Sequence, residues 1–156
     1  TLLLDVFKGF FAVSLIHFFN VMWQLSGYQE PFYIEYIAGF FAILGHCFPI
    51  WLKFKGGKGV ATTFGVLLAA VPLAGLVAVT TWGIVAGFFR YSSMAALSAV
   101  AIAPLATFLI YGPALAIVTL LIAALVIWRH RDNIKRLRDG SEPKIGQGKD
   151  ENEPAS

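Results

Sequence analysis

Long apolar runs separated by short polar segments dominate the chain. They cover residues 2–23, 34–52, 60–71, 73–89, 93–111 and 113–128. A helix of about 20 apolar residues spans a hydrocarbon core of ~30 Å, so the pattern predicts an all-α, polytopic transmembrane bundle with six segments in this chain. The third run is short. It either spans half the membrane or continues into the fourth run as one helix broken at Pro72.

The breaks between runs carry turn formers and basic residues. The first turn, residues 24–31, predicts a helical hairpin. If the six segments alternate, Lys8, Lys58, Arg90 and the cluster from Arg129 onward all fall on one side. Basic residues near membrane helices are retained in the cytoplasm, so this side is predicted to be cytoplasmic. The agreement disfavours merging the third and fourth runs.

Composition supports a membrane domain followed by a tail. Hydrophobic residues make up 58% of the chain and charged residues 13%, against about 25% charged in a soluble domain. We expect a transmembrane domain at residues 1–138 and a polar cytoplasmic tail at 139–156, largely disordered beyond Gly146. With Cys47 as the single cysteine and no zinc spacing, neither a disulfide nor a metal site is expected. No cofactor and no nucleic-acid partner are expected either.

A glycine-rich segment, GHCFPIWLKFKGGKGVA, begins at Gly45. Its glycines allow the backbone to approach a ligand closely, and Lys58 adds a positive charge before a helix start. The candidate phosphate-binding residues are Gly56, Gly57, Lys58 and Gly59. A membrane-surface loop that follows the positive-inside rule explains the same residues equally well, and the Walker A pattern for ATP is not met.

Histidines occur in both polar motifs. His46 lies near the predicted cytoplasmic end of the second segment, where it is a base, an anion donor or an interfacial polar group. His130 and Asn133 are three residues apart and share one face of a basic helix that follows the last run. Lipid head groups are the simpler partner for such a helix, but they do not require Asn133.

For the other polar residues, the sequence gives weaker indications of a function. Asp5 and Lys8 are spaced to neutralise each other within a helix. His17 and Asn20 are expected to be interfacial or interhelical groups. The serines of the RYSS turn, Ser92 and Ser93, are candidate hydroxyl donors to a phosphate, although turn residues usually serve only the turn.

Together, GHCFP, FKGGKGVA, RYSS and RHRDNIKRLRDGSE resemble the PlsY-type acyl-phosphate:glycerol-3-phosphate acyltransferases of bacteria. The resemblance covers residue 1 to about residue 146, including the opening DVFKG. It implies a seven-helix inner-membrane enzyme that transfers an acyl chain from acyl phosphate to the 1-hydroxyl of glycerol 3-phosphate, forming lysophosphatidic acid. Membrane lipid is a further partner, and the oligomeric state is open.

The resemblance also assigns roles. The implied catalytic residues are His46, His130 and Asn133, and the implied motif-supporting residues are Gly45, Arg129 and Glu142. The sequence leaves open whether His46, His130 or a substrate phosphate oxygen accepts the proton.

The family's first helix and the SGNPGATN-like loop after it do not appear in the printed sequence, which begins at Thr1 rather than Met. We therefore expect the natural N-terminus to lie upstream, and the 156 residues alone to lack acyltransferase activity. The alternative function is a small membrane transporter or channel for an anionic solute, since glycines and cations at helix breaks also build transport sites. That function predicts internal repeats and ionisable groups at mid-membrane, and neither is clear in the sequence.

Overall fold

The computed structural model describes residues 2–27, 33–54 and 56–146. These residues form helices, with no strand in the described ranges. The helices are α1 (Leu2–Leu25), α2 (Tyr33–Cys47), α3 (Val60–Ala70), α4 (Pro72–Phe89), α5 (Ser92–Tyr111), α6 (Pro113–Arg129) and α7 (Arg131–Arg138), with a short 3-10 turn at Ile50–Leu52. The predicted all-α class is confirmed, and each of α1–α6 corresponds to one of the six apolar runs, although α2 ends before its run does.

The main helices pack side by side as a bundle. Helix α1 packs against α2 and α3, α4 against α5, and α6 against α2 and α5. His46, at the end of α2, lies 3.6 Å from Asp5 at the start of α1, so these two helices are antiparallel, as the hairpin prediction required. The residues joining α1 and α2, 28–32, lie outside the described residues.

One end of the bundle carries most of the charge. Arg129, at the end of α6, binds the loop that precedes α3, and Arg90, at the end of α4, binds the segment that follows α7. The starts of α1, α3 and α5 and the ends of α2, α4 and α6 therefore meet there, and we call it the polar end. The predicted Asp5–Lys8 ion pair is present there at 2.8 Å.

Small residues let the helix backbones approach each other. A Cβ atom added to Gly65 of α3 would collide with the carbonyl oxygen of Val6 and lie 2.8 Å from the amide nitrogen of Phe10 in α1. Alanines such as Ala78 and Ala99 fill the α4 and α5 interiors. Many large apolar side chains, such as Phe88 and Leu109, point outward. Close contact through small residues and an apolar exterior are typical of helices that pack in lipid.

The helices differ in whether they are long enough to cross a membrane. Helices α1, α4 and α5 are long and apolar enough to do so. Helix α6 is long enough only when it is counted together with α7, from which it is bent by 60°. With 11 residues, α3 is only about 16 Å long. It does not continue into α4 as one element, because Gly75 packs back against Leu68. Helix α2 ends at Cys47, not at residue 52, since Pro49 cannot donate to a helical hydrogen bond.

Two buried polar groups stabilise the bundle away from the polar end. At the far end, Glu35 accepts a hydrogen bond from Asn20 at 2.9 Å and lies 3.0 Å from His17 Nδ1, so the predicted interhelical role of His17 and Asn20 is observed. Next to Glu35 along the chain, the Tyr36 hydroxyl lies 2.7 Å from Thr119 Oγ1, which in turn donates to Thr107 at 3.2 Å. We call this second group the hydroxyl chain. It joins α2, α6 and α5.

Candidate active site

His130 lies at the bend between α6 and α7, where its side chain is 2% exposed. Its Nδ1 is 2.7 Å from the carbonyl oxygen of Val126. A carbonyl only accepts, so Nδ1 must carry the proton, and in the neutral ring Nε2 then keeps a free lone pair. Burial lowers the pKa of His130 because the charged ring would lose hydration, and the bond to Val126 opposes this only in part. The geometry therefore presents a neutral imidazole that can accept a proton.

Asn133 follows one turn later on α7 and is 4% exposed. Its amide donates to Glu142 Oε1 at 2.6 Å, while Arg136 donates to Glu142 Oε2 at 2.7 Å. This pairing leaves Asn133 Oδ1 buried with no protein partner among the described residues. The Glu142 carboxylate thus fixes the Asn133 amide so that its oxygen remains available to a ligand.

Glu142 is the anionic centre of this network. Burial alone would raise the pKa of Glu142, but the polar groups around it, Ser93, Asn133 and Arg136, lower that pKa by more. The Ser93 hydroxyl faces the carboxylate without reaching hydrogen-bond geometry, and it is buried without a partner in the part of the chain described. Glu142 therefore stays ionised and keeps its two acceptor oxygens occupied by Asn133 and Arg136.

The glycine loop, residues 56–59, is held in place from α6. Arg129 donates to the carbonyl oxygens of Gly56 at 2.8 Å and Gly57 at 3.0 Å, and its guanidinium lies over the Phe48 ring at 5.1 Å. With its donors directed to these carbonyls, Arg129 supports the loop. Gly59 has a φ of 82°, a conformation that suits glycine, just before α3 begins.

A cavity of about 530 Å³ opens beside this loop. Its polar lining brings together residues of both predicted motifs and the serine turn: Lys58, Ser92, Ser93, His130, Asn133, Arg136 and Glu142. Its apolar lining includes Val60, Phe64, Val79, Trp82 and Ala96. Desolvation at the cavity lowers the pKa of Lys58, with Glu142 opposing the shift. A partly desolvated ammonium attracts an anion more strongly than a fully hydrated one.

His46 lies in a different place. With Lys8, Gly45, Gly56 and Gly57 it lines a second cavity of about 410 Å³. A Cβ atom on Gly57 would collide with its imidazole, so the ring packs against the glycine loop. The structure thus does not bring every predicted site residue into one pocket. It groups Lys58, both serines, His130 and Asn133 in the first cavity. It places Gly56 and Gly57 with His46 and Gly45 in the second.

Sequence reasoning missed two features of the first cavity and one of helix α3 that does not line it. Arg136 belonged to a predicted motif, but its pairing with Glu142 had no signal beyond charge. Phe64 and Trp82, edge to face with centroids 6.5 Å apart, looked like ordinary membrane-helix residues. The hydroxyls of Thr62 and Thr63, directly after the loop, are buried without a partner in the described residues. Unpartnered hydroxyls are a property of packing, which a sequence does not display.

Among the described residues, no three His, Cys, Asp or Glu side chains come together as metal ligands. The polar groups of the cavity are instead two cations, an imidazole, an amide, two hydroxyls and the Glu142 carboxylate, which Asn133 and Arg136 bind. Such a set suits a phosphorylated ligand, because phosphate oxygens accept from lysine and hydroxyl donors.

Comparisons with known proteins agree with this geometry. A family model described as glycerol-3-phosphate acyltransferase matches residues 1–140. A glycerol-3-phosphate acyltransferase of Rhodospirillum rubrum is 46% identical over 149 residues, covering 96% of this chain and 68% of the relative. The Agrobacterium fabrum protein of that name is 46% identical over 147 residues, covering 94% and 67%. In the Ruegeria sp. relative, 52% identity extends over 111 residues, 71% of this chain and 55% of the relative.

Two solved structures share the fold. Both are crystal structures of PlsY (YgiH), an integral membrane glycerol 3-phosphate acyltransferase. The glycerol 3-phosphate form has a TM-score of 0.80 and 34% identity over 93% of this chain and 69% of that protein. The lysophosphatidic acid form has a TM-score of 0.77 and 35% identity over 93% and 70%. The chain spans roughly two thirds of the length of most of these proteins, and the resemblance carried by its motifs is confirmed: it belongs to the glycerol-3-phosphate acyltransferase family.

Proposed function

We propose that the gene product containing this chain transfers a fatty acyl group from acyl phosphate to the 1-hydroxyl of glycerol 3-phosphate, forming lysophosphatidic acid and phosphate for phospholipid synthesis. The cavity beside the glycine loop carries the proposal. Its lining groups a lysine, two serines, a histidine and an asparagine, and the rest of the lining is largely apolar. A substrate pair that carries phosphate groups and an acyl chain matches both kinds of lining.

The proposed chemistry needs little from the protein beyond placement. In an acyl phosphate the carbonyl carbon is already activated, since phosphate leaves readily. The hydroxyl oxygen of glycerol 3-phosphate forms the new ester bond to that carbon, and the C–O bond to phosphate breaks with its electron pair. His130 Nε2 takes the hydroxyl proton, because Nδ1 is occupied by Val126. Holding two reactants in this geometry supplies much of the rate.

Charge placement explains how two anions share one site. Lys58 and Arg136 are cationic lining groups, and the hydroxyls of Ser92 and Ser93 are additional donors. Asn133 Oδ1 can accept from the 2-hydroxyl of glycerol 3-phosphate and so hold the molecule with its 1-hydroxyl toward the acyl carbon, while the 1-hydroxyl proton goes to His130. Preorganised groups of this kind act on the developing charge without a reorganisation cost.

Two measurements test the proposal: which acyl donor the enzyme uses, and how replacing Lys58 changes its kinetics. The full gene product in proteoliposomes should convert glycerol 3-phosphate with acyl phosphate and not with acyl-CoA. Lys58→Met should raise the KM for glycerol 3-phosphate at least tenfold, the factor expected when an interaction of about 1.4 kcal/mol is lost. Lys53→Met is the matched control, since Lys53 is exposed near the same loop but does not line the cavity. Unchanged kinetics in Lys58→Met would refute the assignment.

We further propose that the polar end faces the cytoplasm of a bacterial inner membrane. The support is the cluster of basic residues there, which follows the positive-inside rule. Single cysteines test it, because the native Cys47 is buried. An impermeant maleimide added to intact cells should label Ser26→Cys, at the far end, and should label Lys135→Cys only after the membrane is opened. Labelling of Lys135→Cys in intact cells would show that the polar end faces the outside, contrary to the proposal.

A further inference from the structure

The segment after α7, residues 141–146, crosses the polar end and ends on the turn between α4 and α5. We call it the strap. Its first amide, on Ser141, donates to the carbonyl oxygen of Arg136 at 2.9 Å. Its other end lies against Arg90. Between the two attachments, the Glu142 side chain enters the cavity and binds Asn133 and Arg136. The strap therefore determines where the Glu142 carboxylate stands.

Arg90 holds the far end of the strap from two sides. Its carbonyl oxygen accepts from the Ile145 amide at 2.6 Å, and its Nη2 atom donates back to the Ile145 carbonyl oxygen at 2.9 Å. One residue thus binds both polar atoms of one strap residue. Lys144 adds a contact, with its ammonium 5.7 Å from the centre of the Tyr91 ring. Arg90 does not itself line the cavity among the described residues.

The backbone of Arg90 is costly for an arginine. It follows the last turn of α4 with a φ of 61°, in the left-handed region, and its amide donates to Ala86. Glycine is the favoured residue at such a helix end. A side chain kept in a disfavoured conformation near an active site points to a role for that side chain. Positive charge at the membrane surface alone could be supplied by a neighbouring residue in an ordinary conformation.

We infer that Arg90 is a positioning residue for acyl transfer. By anchoring the strap at Ile145, it keeps Glu142 in the cavity, and Glu142 in turn fixes the Asn133 amide and the Arg136 guanidinium. The inference rests on the proposed function, since the groups being oriented are those assigned to substrate. Arg90 lies outside the cavity, so it would act on the site through the strap residues 143 and 144, which connect Ile145 to Glu142.

Kinetics and amide exchange on the full gene product test the inference. Arg90→Gln removes the guanidinium bond to Ile145, and Arg138→Gln removes an equal charge from the exposed end of α7 as the matched control. We expect kcat of Arg90→Gln to fall about tenfold, the loss expected for one charge-assisted hydrogen bond, with KM changed less. Hydrogen exchange of the strap amides should accelerate while that of α7 does not. Arg138→Gln should behave as wild type in both measurements.

A second variant guards against misfolding. Arg90→Gly suits the left-handed backbone, so its thermal stability should equal or exceed that of the wild type while kcat still falls. Wild-type kcat in Arg90→Gly or Arg90→Gln would overturn the inference, as would a lowered kcat with unchanged strap exchange, since Arg90 would then act by another route. Absence of turnover in the wild type would instead refute the proposed function. The exchange measurement alone would then decide whether Arg90 anchors the strap.

Discussion

The hydroxyl chain and the cavity at the polar end both contain buried polar groups. In the hydroxyl chain these groups have hydrogen-bond partners within the protein, whereas two of the buried polar atoms at the cavity have none among the described residues. In the hydroxyl chain, Tyr36 pairs with Thr119, and Thr107 donates to the carbonyl oxygen of Ala103 at 2.8 Å. At the cavity, Ser93 Oγ and Asn133 Oδ1 are equally buried but have no protein partner in the described ranges. Buried polar groups are normally paired, because leaving one unpaired costs about 1–3 kcal/mol.

The contrast separates groups that hold the fold from groups that serve a ligand. A hydroxyl that is paired within the protein contributes its hydrogen bonds to the fold, so its loss should mainly affect stability. A buried atom without a protein partner contributes no hydrogen bond to the fold, so its loss should mainly affect binding or turnover. Each of the following predictions tests one side of this comparison.

The largest effect is expected at Asn133. Asn133→Ala should reduce kcat about 10²–10³-fold, the usual cost of deleting a preorganised polar group in an active site. The loss of its amide bond to Glu142 should lower the thermal stability only modestly. Steady-state kinetics with acyl phosphate in proteoliposomes measures the first quantity and a thermal melt in detergent the second. A variant that melts far below wild type would show that Asn133 belongs with the structural groups.

The glycine loop should be next in sensitivity. A Cβ atom at Gly56 would collide with the His46 carbonyl oxygen and Pro49 and lie 2.6 Å from the Cys47 carbonyl oxygen. These are largely backbone atoms that cannot move aside, so Gly56→Ala should displace the loop and lower kcat/KM by about 10²-fold, as misplaced reactants do. Gly83→Ala, where a Cβ atom meets nothing within 4 Å, is the control and should be active. Equal activity of both variants would contradict the role of the loop.

The hydroxyl chain should show the opposite behaviour. Thr119→Val removes the hydroxyl bound to Tyr36 and leaves Tyr36 without its partner, so the free energy of unfolding should fall by about 1–3 kcal/mol. Because Thr119 lies away from the cavity, kcat and KM should stay within about twofold of wild type. The melt and the kinetics are compared with those of Asn133→Ala. A strong kinetic defect in Thr119→Val would erase the distinction between the two regions.

The smallest expected effect is a pH shift. Burial lowers the pKa of His130, so this base stays neutral at pH values where an ordinary imidazole, with a pKa near 6.5, is already charged. The acid limb of kcat/KM should therefore lie below pH ~6.5. In His130→Asn the pH dependence of the residual rate should reflect only the ionisation of the substrate phosphate. An acid limb above pH 7 in the wild type would argue against His130 as the proton acceptor.

The sequence predicted much of the bundle and only part of the site. Apolar runs located most ends of α1–α6 to within a few residues because turn formers and polar residues separate the runs. The end of α2 was misplaced, since the run stayed apolar past Pro49 while the proline stopped the helix. The polar composition from residue 139 onward indicated a tail, yet residues 141–146 pack against Arg90 through backbone bonds that composition does not reveal. Residues 147–156 lie outside the described residues.

The division of the site into two cavities also lay beyond sequence reasoning. His46 and His130 each stood in a polar motif at the predicted cytoplasmic side, and side of the membrane is all that charge patterning provides. Which cavity each lines depends on how the ends of α2 and α6 flank the glycine loop. The role predicted for His46 stays a prediction, and a substrate role would have to be exerted from the far side of Gly57.

The most direct test deletes one hydroxyl from each region and measures glycerol 3-phosphate binding to the full gene product by calorimetry. Ser93→Ala should weaken binding about tenfold, the equivalent of 1.4 kcal/mol, while its melting temperature stays at the wild-type value. Thr119→Val should keep wild-type affinity and melt at a lower temperature. The reverse pattern, with affinity lost in Thr119→Val and retained in Ser93→Ala, would contradict the claim that the unpartnered groups of the cavity are the ones that bind substrate.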